Sequence, residues 1–254
     1  MRKIIKWTLF FIISFFIFVI SFFFINATVE KIIISNKIAS FKEKGIYKEE
    51  LSNDYEKYYE VKMDGEERGY TMNESIMLPG NVCDILVSPN THAFHPIISS
   101  FVSYNVGGHA AIVTDNYSDA ENTITDIDSI EADYYDNGKS PAKISYRSYW
   151  NDTTYFDEVI GLRAKLSQEE KKEVMSVLYG QFGDPYNISF LFDTKNKTYC
   201  SDLITKVFSS VGIDTNKDGY FTTIYDIITT EELYITYYHY YKDGIKYFFY
   251  VYKE

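Results

Sequence analysis

Lys197-Thr-Tyr-Cys-Ser-Asp-Leu-Ile-Thr-Lys-Val-Phe-Ser-Ser-Val-Gly212 reads as a short amphipathic helix with a cysteine in its first turn. Leu203, Ile204, Val207, Phe208 and Val211 recur at helical spacing, and Gly212 sits where a C-terminal cap belongs. A thiol at Cys200 would feel the unpaired N–H groups and the positive end of the helix dipole, which favour the nucleophilic thiolate. Buried free cysteines are common and usually inert, so helix position alone does not make Cys200 a nucleophile.

Composition narrows the classes. The 254 residues carry a net charge of -11, and the part beyond the N-terminal apolar run is more acidic still, because Arg2, Lys3 and Lys6 precede that run. Such a surface is a poor polyanion binder, which argues against a nucleic-acid partner. Two cysteines, Cys83 and Cys200, make no disulfide framework, although an oxidising exported side leaves room for one bridge.

Trp7 to Ile25 is apolar except for Thr8, Ser14 and Ser21, which is long enough to cross a bilayer as a helix. Cations before it put the N-terminus in the cytoplasm and the rest outside, giving a single-pass membrane protein. A cleaved signal peptide competes, with processing near Asn26-Ala27-Thr28, but the apolar core is long for one. The expected organisation is a cytoplasmic stub and anchor over 1–28, a charged spacer over 29–75 and one domain over 76–254. The glycosylation sequons at Asn73, Asn116 and Asn151 matter only in a eukaryotic secretory route.

Within the domain, 82–87, 106–113, 123–132, 143–149 and 158–164 read as strands. Ser167-Gln-Glu-Glu170 is a capping box that opens a helix to about Tyr179, and Gly183-Asp-Pro-Tyr186 breaks the chain before the cysteine helix. A short helix is predicted over 222–232, then a hairpin of 233–241 and 245–252 across Asp243-Gly244. The predicted class is α+β, with an antiparallel sheet packed by helices.

A cysteine nucleophile needs a base, and the base an orienting acceptor. Of four histidines, His239 lies in the tyrosine-rich hairpin and His92 and His95 in a polar loop. His109 follows a Gly pair that admits a close backbone and precedes two alanines, which makes it the best-placed base. Glu131 is the first choice of orienting acid, with Asp128 and Asp133 as rivals. Asp214 to Gly219 resembles the start of a calcium loop but has Tyr225 at the twelfth position, and reads as an Asx-rich turn. His-x-x-His in a loop is thin ground for a metal, so no metal site is predicted.

Asp84-Ile-Leu, Gly108-His-Ala-Ala-Ile, Ile130-Glu-Ala, Gly161-Leu-Arg163, Gly183-Asp-Pro-Tyr186 and Tyr199-Cys-Ser-Asp-Leu-Ile204, in this order, resemble the YiiX/YebB-like permuted papain-like amidases. These are a circularly permuted branch of the NlpC-type cysteine peptidase superfamily, in which the histidine strand precedes the cysteine helix. The resemblance covers about 78–230. It implies Cys200 as nucleophile, His109 as base, Glu131 as orienting acid, Tyr186 at the oxyanion site with Tyr199 beside it, and no cofactor. Two departures stand out: Gly80 and Asp84 are separated by Asn81-Val-Cys83, leaving Cys83 near the site, and Asp202 stands where Glu is usual. The implied substrate is an amide in cell-wall peptides. The alternatives are an acyl amide of a lipid or lipoprotein, and an inactive binding domain of the same fold.

Overall fold

The structure, a computed structural model, describes residues 2–63, 80–89, 104–116, 127–133, 143–147, 150, 156–187, 197–216, 219 and 221–251. It opens on one helix, α1 (Arg2–Glu43), followed by β1 (Gly45–Tyr47), a 3-10 turn and β2 (Glu56–Val61). Then come β3 (Ile85–Ser88), β4 (His109–Asn116), β5 (Ile127–Asp133), β6 (Lys143–Arg147) and β7 (Glu158–Ala164). Three helices, α2 (Gln168–Gly180), α3 (Cys200–Ser209) and α4 (Ile224–Thr229), precede the closing hairpin of β8 (Leu233–Lys242) and β9 (Ile245–Val251). The nine strands form one sheet in the order β1-β2-β9-β8-β7-β3-β4-β5-β6. The α+β class with an antiparallel sheet holds, except that β2 runs parallel to β9.

Alternation along the strands divides the core between the two faces of the sheet. Ile85 and Val87 of β3, Ala110 and Ile112 of β4, and Ile160 and Leu162 of β7 face a large cluster shared with the helices. Leu86, Ala111, Val113 and Val159 face a smaller one built around Trp150, Phe156 and Tyr237. The register of β8 slips against β7 between Gly161 and Leu162. That bulge lets Ile235 and Tyr238 join the large cluster while Tyr237 joins the small one. The hairpin turns at Asp243 (φ 53°) and Gly244 (φ 84°), two consecutive left-handed residues that fit a two-residue turn of the I′ kind.

The helices follow their sequence signals. Ser167 and Glu170 form both bonds of the capping box at the start of α2. At the end of α3, Gly212 (φ 81°) donates to Ser209 and Ile213 to Phe208, the pair of bonds that makes a Schellman closure.

The expected spacer is corrected. Of 29–75, the described part up to Met63 does not stand off in solvent. The helix of the apolar run continues to Glu43, and Ala27, Glu30, Ile34 and Phe41 bury one face of it against the domain. β1 and β2 then complete the sheet, with Val61 fully buried. The charged composition of 29–63 does not mark a solvated segment, since Glu30 is itself buried and Lys37 is drawn into the domain.

Lys37 ties the helix down. Its Nζ donates to the carbonyls of Ile228 (2.8 Å), Thr230 (3.0 Å) and Leu233 (2.8 Å), around the open C-terminal end of α4. Burial lowers the Lys37 ammonium to about 8. The first half of α1 leaves its apolar side chains exposed and is long and apolar enough to cross a membrane. Replacing Lys37 by Met should destabilise the full chain in urea by about 1–3 kcal/mol, the cost of stranding buried carbonyls. Hydrogen exchange should then rise in both 27–43 and 224–230; unchanged exchange there would refute the clamp.

Candidate active site

The start of α3 is prepared by the chain just before it. Tyr186 and Thr198 form a short parallel bridge, with Asn187 N–H donating to the Thr198 carbonyl at 3.1 Å. Lys206 ties the same lead-in to the helix, donating to the Lys197 carbonyl (3.0 Å) and pairing with Asp202 (2.8 Å). Tyr199 is the N-cap and has no side-chain bond to the first turn, so the amides beside Cys200 are not capped from there. Leu203, Ile204, Val207 and Phe208 bury the helix against the sheet, where α3 lies over β4 and β5. The thiol is thereby delivered to the two strands that carry His109 and Glu131.

His109 is the first residue of β4. Just before it, Gly107 adopts φ +87°, and a Cβ there would lie 2.6 Å from Ile224 Cβ. Only glycine fits, because Ile224, at the start of α4, also donates its N–H to the Val106 carbonyl at 2.9 Å. The imidazole Nε2 lies 3.2 Å from Glu131 Oε2 but is not directed along a hydrogen-bond line, so the contact is ionic. The ring also hydrogen-bonds with Cys200. With Nε2 at the carboxylate, Nδ1 is the nitrogen left for the thiol.

Glu131 has no exposed surface, and its Oε2 also accepts from Trp150 Nε1 at 3.0 Å. Trp150 lies parallel to the imidazole, with ring centroids 5.8 Å apart and planes 7° apart, and stacks on Phe156 at 4.5 Å. Burial acts to lower the pKa of His109. The Glu131 charge and the Cys200 thiol together outweigh it and hold the imidazole well above its ordinary value. The arrangement can keep a cationic imidazolium beside a thiol, as acyl transfer requires.

Sequence reasoning missed Trp150. A signal was present: it is the one tryptophan outside the apolar run, and a buried indole N–H needs an acceptor. Tyr186 packs, partly buried, against the cluster that contains Cys200. Tyr199 is buried with its hydroxyl bonded to Thr222, and burial raises its pKa.

Other sequence candidates go elsewhere. His239 is buried, with Nε2 at 3.1 Å from the Phe156 carbonyl and Nδ1 at 3.1 Å from the Tyr237 hydroxyl, and burial lowers it to about 4. His92, His95 and the Asp128 side chain lie outside the described residues. In the Asp214 turn, Asn216 N–H donates to Asp214 Oδ1 at 2.9 Å, the bond of an Asx turn.

Cys83 requires a correction, since it does not lie near the site. His109 pairs with Ser88 at one end of β3, whereas the Cys83 N–H donates to Val113 beyond the other end. Five strand residues put about 15 Å between them. Burial pushes the Cys83 thiol up to about 12, and both cysteines are free. The inserted residues serve a buried clamp there. Arg163 grips Asp84 with two bonds (2.7 and 2.6 Å), and a Cβ on Gly80 would lie 2.9 Å from Val113 and 3.1 Å from Asp84.

This fold, with its sheet and packed helices, is that of an α+β amide hydrolase of the permuted papain-like kind. The chain belongs to the permuted papain-like amidase family, YaeF/YiiX, C92, whose description matches residues 90–227. Among solved structures, the crystal structure of metalloprotein yiiX from Escherichia coli O157:H7 is similar at 12% identity and a TM-score of 0.46, over 63% of this chain and 97% of that one. No curated protein matches the chain.

If Glu131 is what holds the imidazolium proton, Glu131→Gln should lower the His109 pKa, read by NMR from its ring protons, by at least about one unit. An unmoved titration would remove Glu131 from the electrostatics of the site.

Proposed function

We propose that the chain is a membrane-anchored cysteine hydrolase that cleaves amide bonds with Cys200 as nucleophile, His109 as general base and acid, and Glu131 as the group that orients and charges the imidazole. The observation that carries the reading is the line from Cys200 through His109 to Glu131, with the last member fully buried and braced by Trp150. Family membership supports amide hydrolysis. The Cys200 thiolate adds to the amide carbonyl, forming an S–C bond, while the Cys200 N–H and Tyr186 stabilise the oxyanion and Tyr199 positions the turn. The C–N bond breaks, and the amine leaves with the proton given by His109. Water, losing a proton to His109, then attacks the thioester, the S–C bond breaks, and the acid and the thiolate are released.

The cations before the apolar run favour a cytoplasmic N-terminus and a catalytic domain outside the cell. There the domain meets peptide amides of the wall, its first substrate class in this reading, with acyl amides of lipids or lipoproteins as the second. Metal is named for the E. coli protein; among the described residues here, no three His, Cys, Asp or Glu side chains are grouped to hold an ion.

Alkylation separates this reading from an inert fold. Cys200 should be labelled by iodoacetamide near neutral pH at least about a hundredfold faster than Cys83, whose thiol ionises only near 12. Cys200→Ala should lower amide hydrolysis by about a thousandfold or more. Equal, slow labelling of the two thiols would sink the catalytic role of Cys200.

A further inference from the structure

The short helix α4 stands between the two halves of the site, and the turn that opens it touches both. On the nucleophile side, the Thr222 carbonyl accepts from Ser201 Oγ at 2.8 Å, and the Thr222 and Thr205 hydroxyls are 3.1 Å apart. The Tyr199 hydroxyl bonds Thr222 as well, so the residues on either side of Cys200 are both tied to it. On the base side, the Ile224 N–H donates to the Val106 carbonyl at 2.9 Å, and the Ile224 side chain fills the space that a Cβ on Gly107 would need. His109 follows two residues later. Between them, Thr223 and Asp226 close a capping box, which leaves the turn little freedom of its own. Three consecutive residues, Thr222 to Ile224, therefore join the seat of the thiol to the seat of the imidazole.

A helix as short as α4 owes its position to what it packs on. α1 grips it at both ends. Near its start, the Lys31 ammonium lies 5.5 Å from the Tyr225 ring centre and 3.8 Å from that of Tyr104, which leads into the Val106–Gly107 turn. At its end, Lys37 donates to the carbonyls of Ile228, Thr230 and Leu233. Lys31 and Lys37 are separated by about 9 Å along α1, and Tyr225 and Thr230 by about 8 Å along α4, at the helical rise per residue. The matched spacing lets both pins close at once, so α4 neither slides nor turns against α1. The Thr28 and Tyr104 hydroxyls, 2.7 Å apart, add a further tie to the His109 side.

Lys42 provides the contrast. Its ammonium sits over Tyr240 (4.2 Å), with Phe249 at 5.5 Å and Tyr238 at 5.8 Å, all on the sheet and none on α4 or the His109 turn. Lys42 holds α1 to the domain, whereas Lys31 and Lys37 hold it to the helix that spans the site.

We infer that Lys31 and Lys37 are positioning residues of the active site: through α4 they hold the Thr222–Ile224 turn where it keeps the Cys200 sulfur and the His109 imidazole within hydrogen-bond reach. This rests on the roles proposed above for Cys200 and His109. Neither lysine touches the reacting groups. Once α4 is loosened, the His109 turn drifts from the first turn of α3, and a small misplacement of base and nucleophile costs much of the rate. The seating of α1 on α4 is thus a condition of reactivity at Cys200, separate from the hold of α1 on the sheet.

The test uses the full chain in phosphatidylcholine nanodiscs, at temperatures where circular dichroism shows each variant folded. Lys37→Met should slow iodoacetamide labelling of Cys200 at neutral pH about tenfold, and Lys37→Arg, which keeps a charged multiple donor, should restore it to within about twofold. Lys31→Met, which removes only ring contacts, should slow labelling about threefold. In Lys37→Met the His109 pKa, read by NMR, should fall by about half a unit or more as the bond to Cys200 is lost. Amide exchange at 106–109 should rise in the same variant. Lys42→Met should weaken the docking of α1 in urea and leave labelling, titration and exchange at 106–109 at native values. Native values in Lys37→Met overturn the inference. So do equal losses in Lys42→Met, which would make α1 a general support. If Lys37→Met does not fold, Lys31→Met is read in the same way. A native chain whose Cys200 labels no faster than Cys83 removes the nucleophile; the titration and the exchange at 106–109 then decide the positioning by themselves.

Discussion

Glu131 carries its charge where water does not reach, and a carboxylate in such a place is tolerated only when its oxygens are paired with donors or cations. Here the Trp150 N–H and the His109 imidazole share one oxygen, so each is held by the same atom. The indole fixes the carboxylate and stacks parallel to the imidazole, which limits how the ring can turn. Proton affinity follows from that arrangement, because the same burial that would strip His109 of its charge also leaves the Glu131 field unscreened. Removing either brace would leave the buried carboxylate short of one partner, a larger loss than the worth of the bond itself.

The order of the chain explains how these groups meet. β4 and β5 are neighbours, with Ile112 opposite Ile130, so His109 and Glu131 stand on one face at diagonal positions. Helix α3 crosses the same two strands from the other face, and its first residue comes to the end of β4 where His109 begins. A histidine in mid-strand would be confined to one face. At the strand end it reaches the thiol while its ring remains beside Trp150. Building the base and its acid before the nucleophile therefore costs nothing in geometry, since what counts is the register of β4 with β5 and the seat of α3 upon them.

Much of this was legible in the residues because local rules and tertiary packing agree. The α3 stripe, the Ser167–Glu170 box, the Gly212 closure and the Asp243-Gly244 turn are each fixed by a few adjacent side chains, and each forms as read. Long-range partners were not legible. Trp150 meets Glu131 through sheet geometry that no spacing encodes, and the parallel pairing of β2 with β9 joins residues near opposite ends of the chain. Cys83 was misplaced because nearness to a motif in sequence says nothing about which end of a strand it occupies. The Tyr186 and Tyr199 assignments came through resemblance alone, and the geometry gives Tyr199 a bond to Thr222 that no motif indicates.

Residues 29–63 were misread for a more instructive reason. Their charged face is what a solvated spacer also shows, and although Ile32, Ile33, Ile38 and Phe41 allow an amphipathic helix, Ile32 and Ile33 stay exposed while Ile34 and Phe41 are buried, a choice of face that the stripe alone does not announce. What buries them is the tyrosine-rich sheet, together with a lysine that serves as a cap for another helix. Lysine is an unusual choice for a buried joint because its ammonium loses hydration there. Three carbonyls around the end of α4 make the choice intelligible, since a three-donor group satisfies them together. The consequence is mechanical. A helix capped into the domain at Lys37 transmits the position of its apolar half to α4, and through Ile224 to the glycine turn that leads to His109.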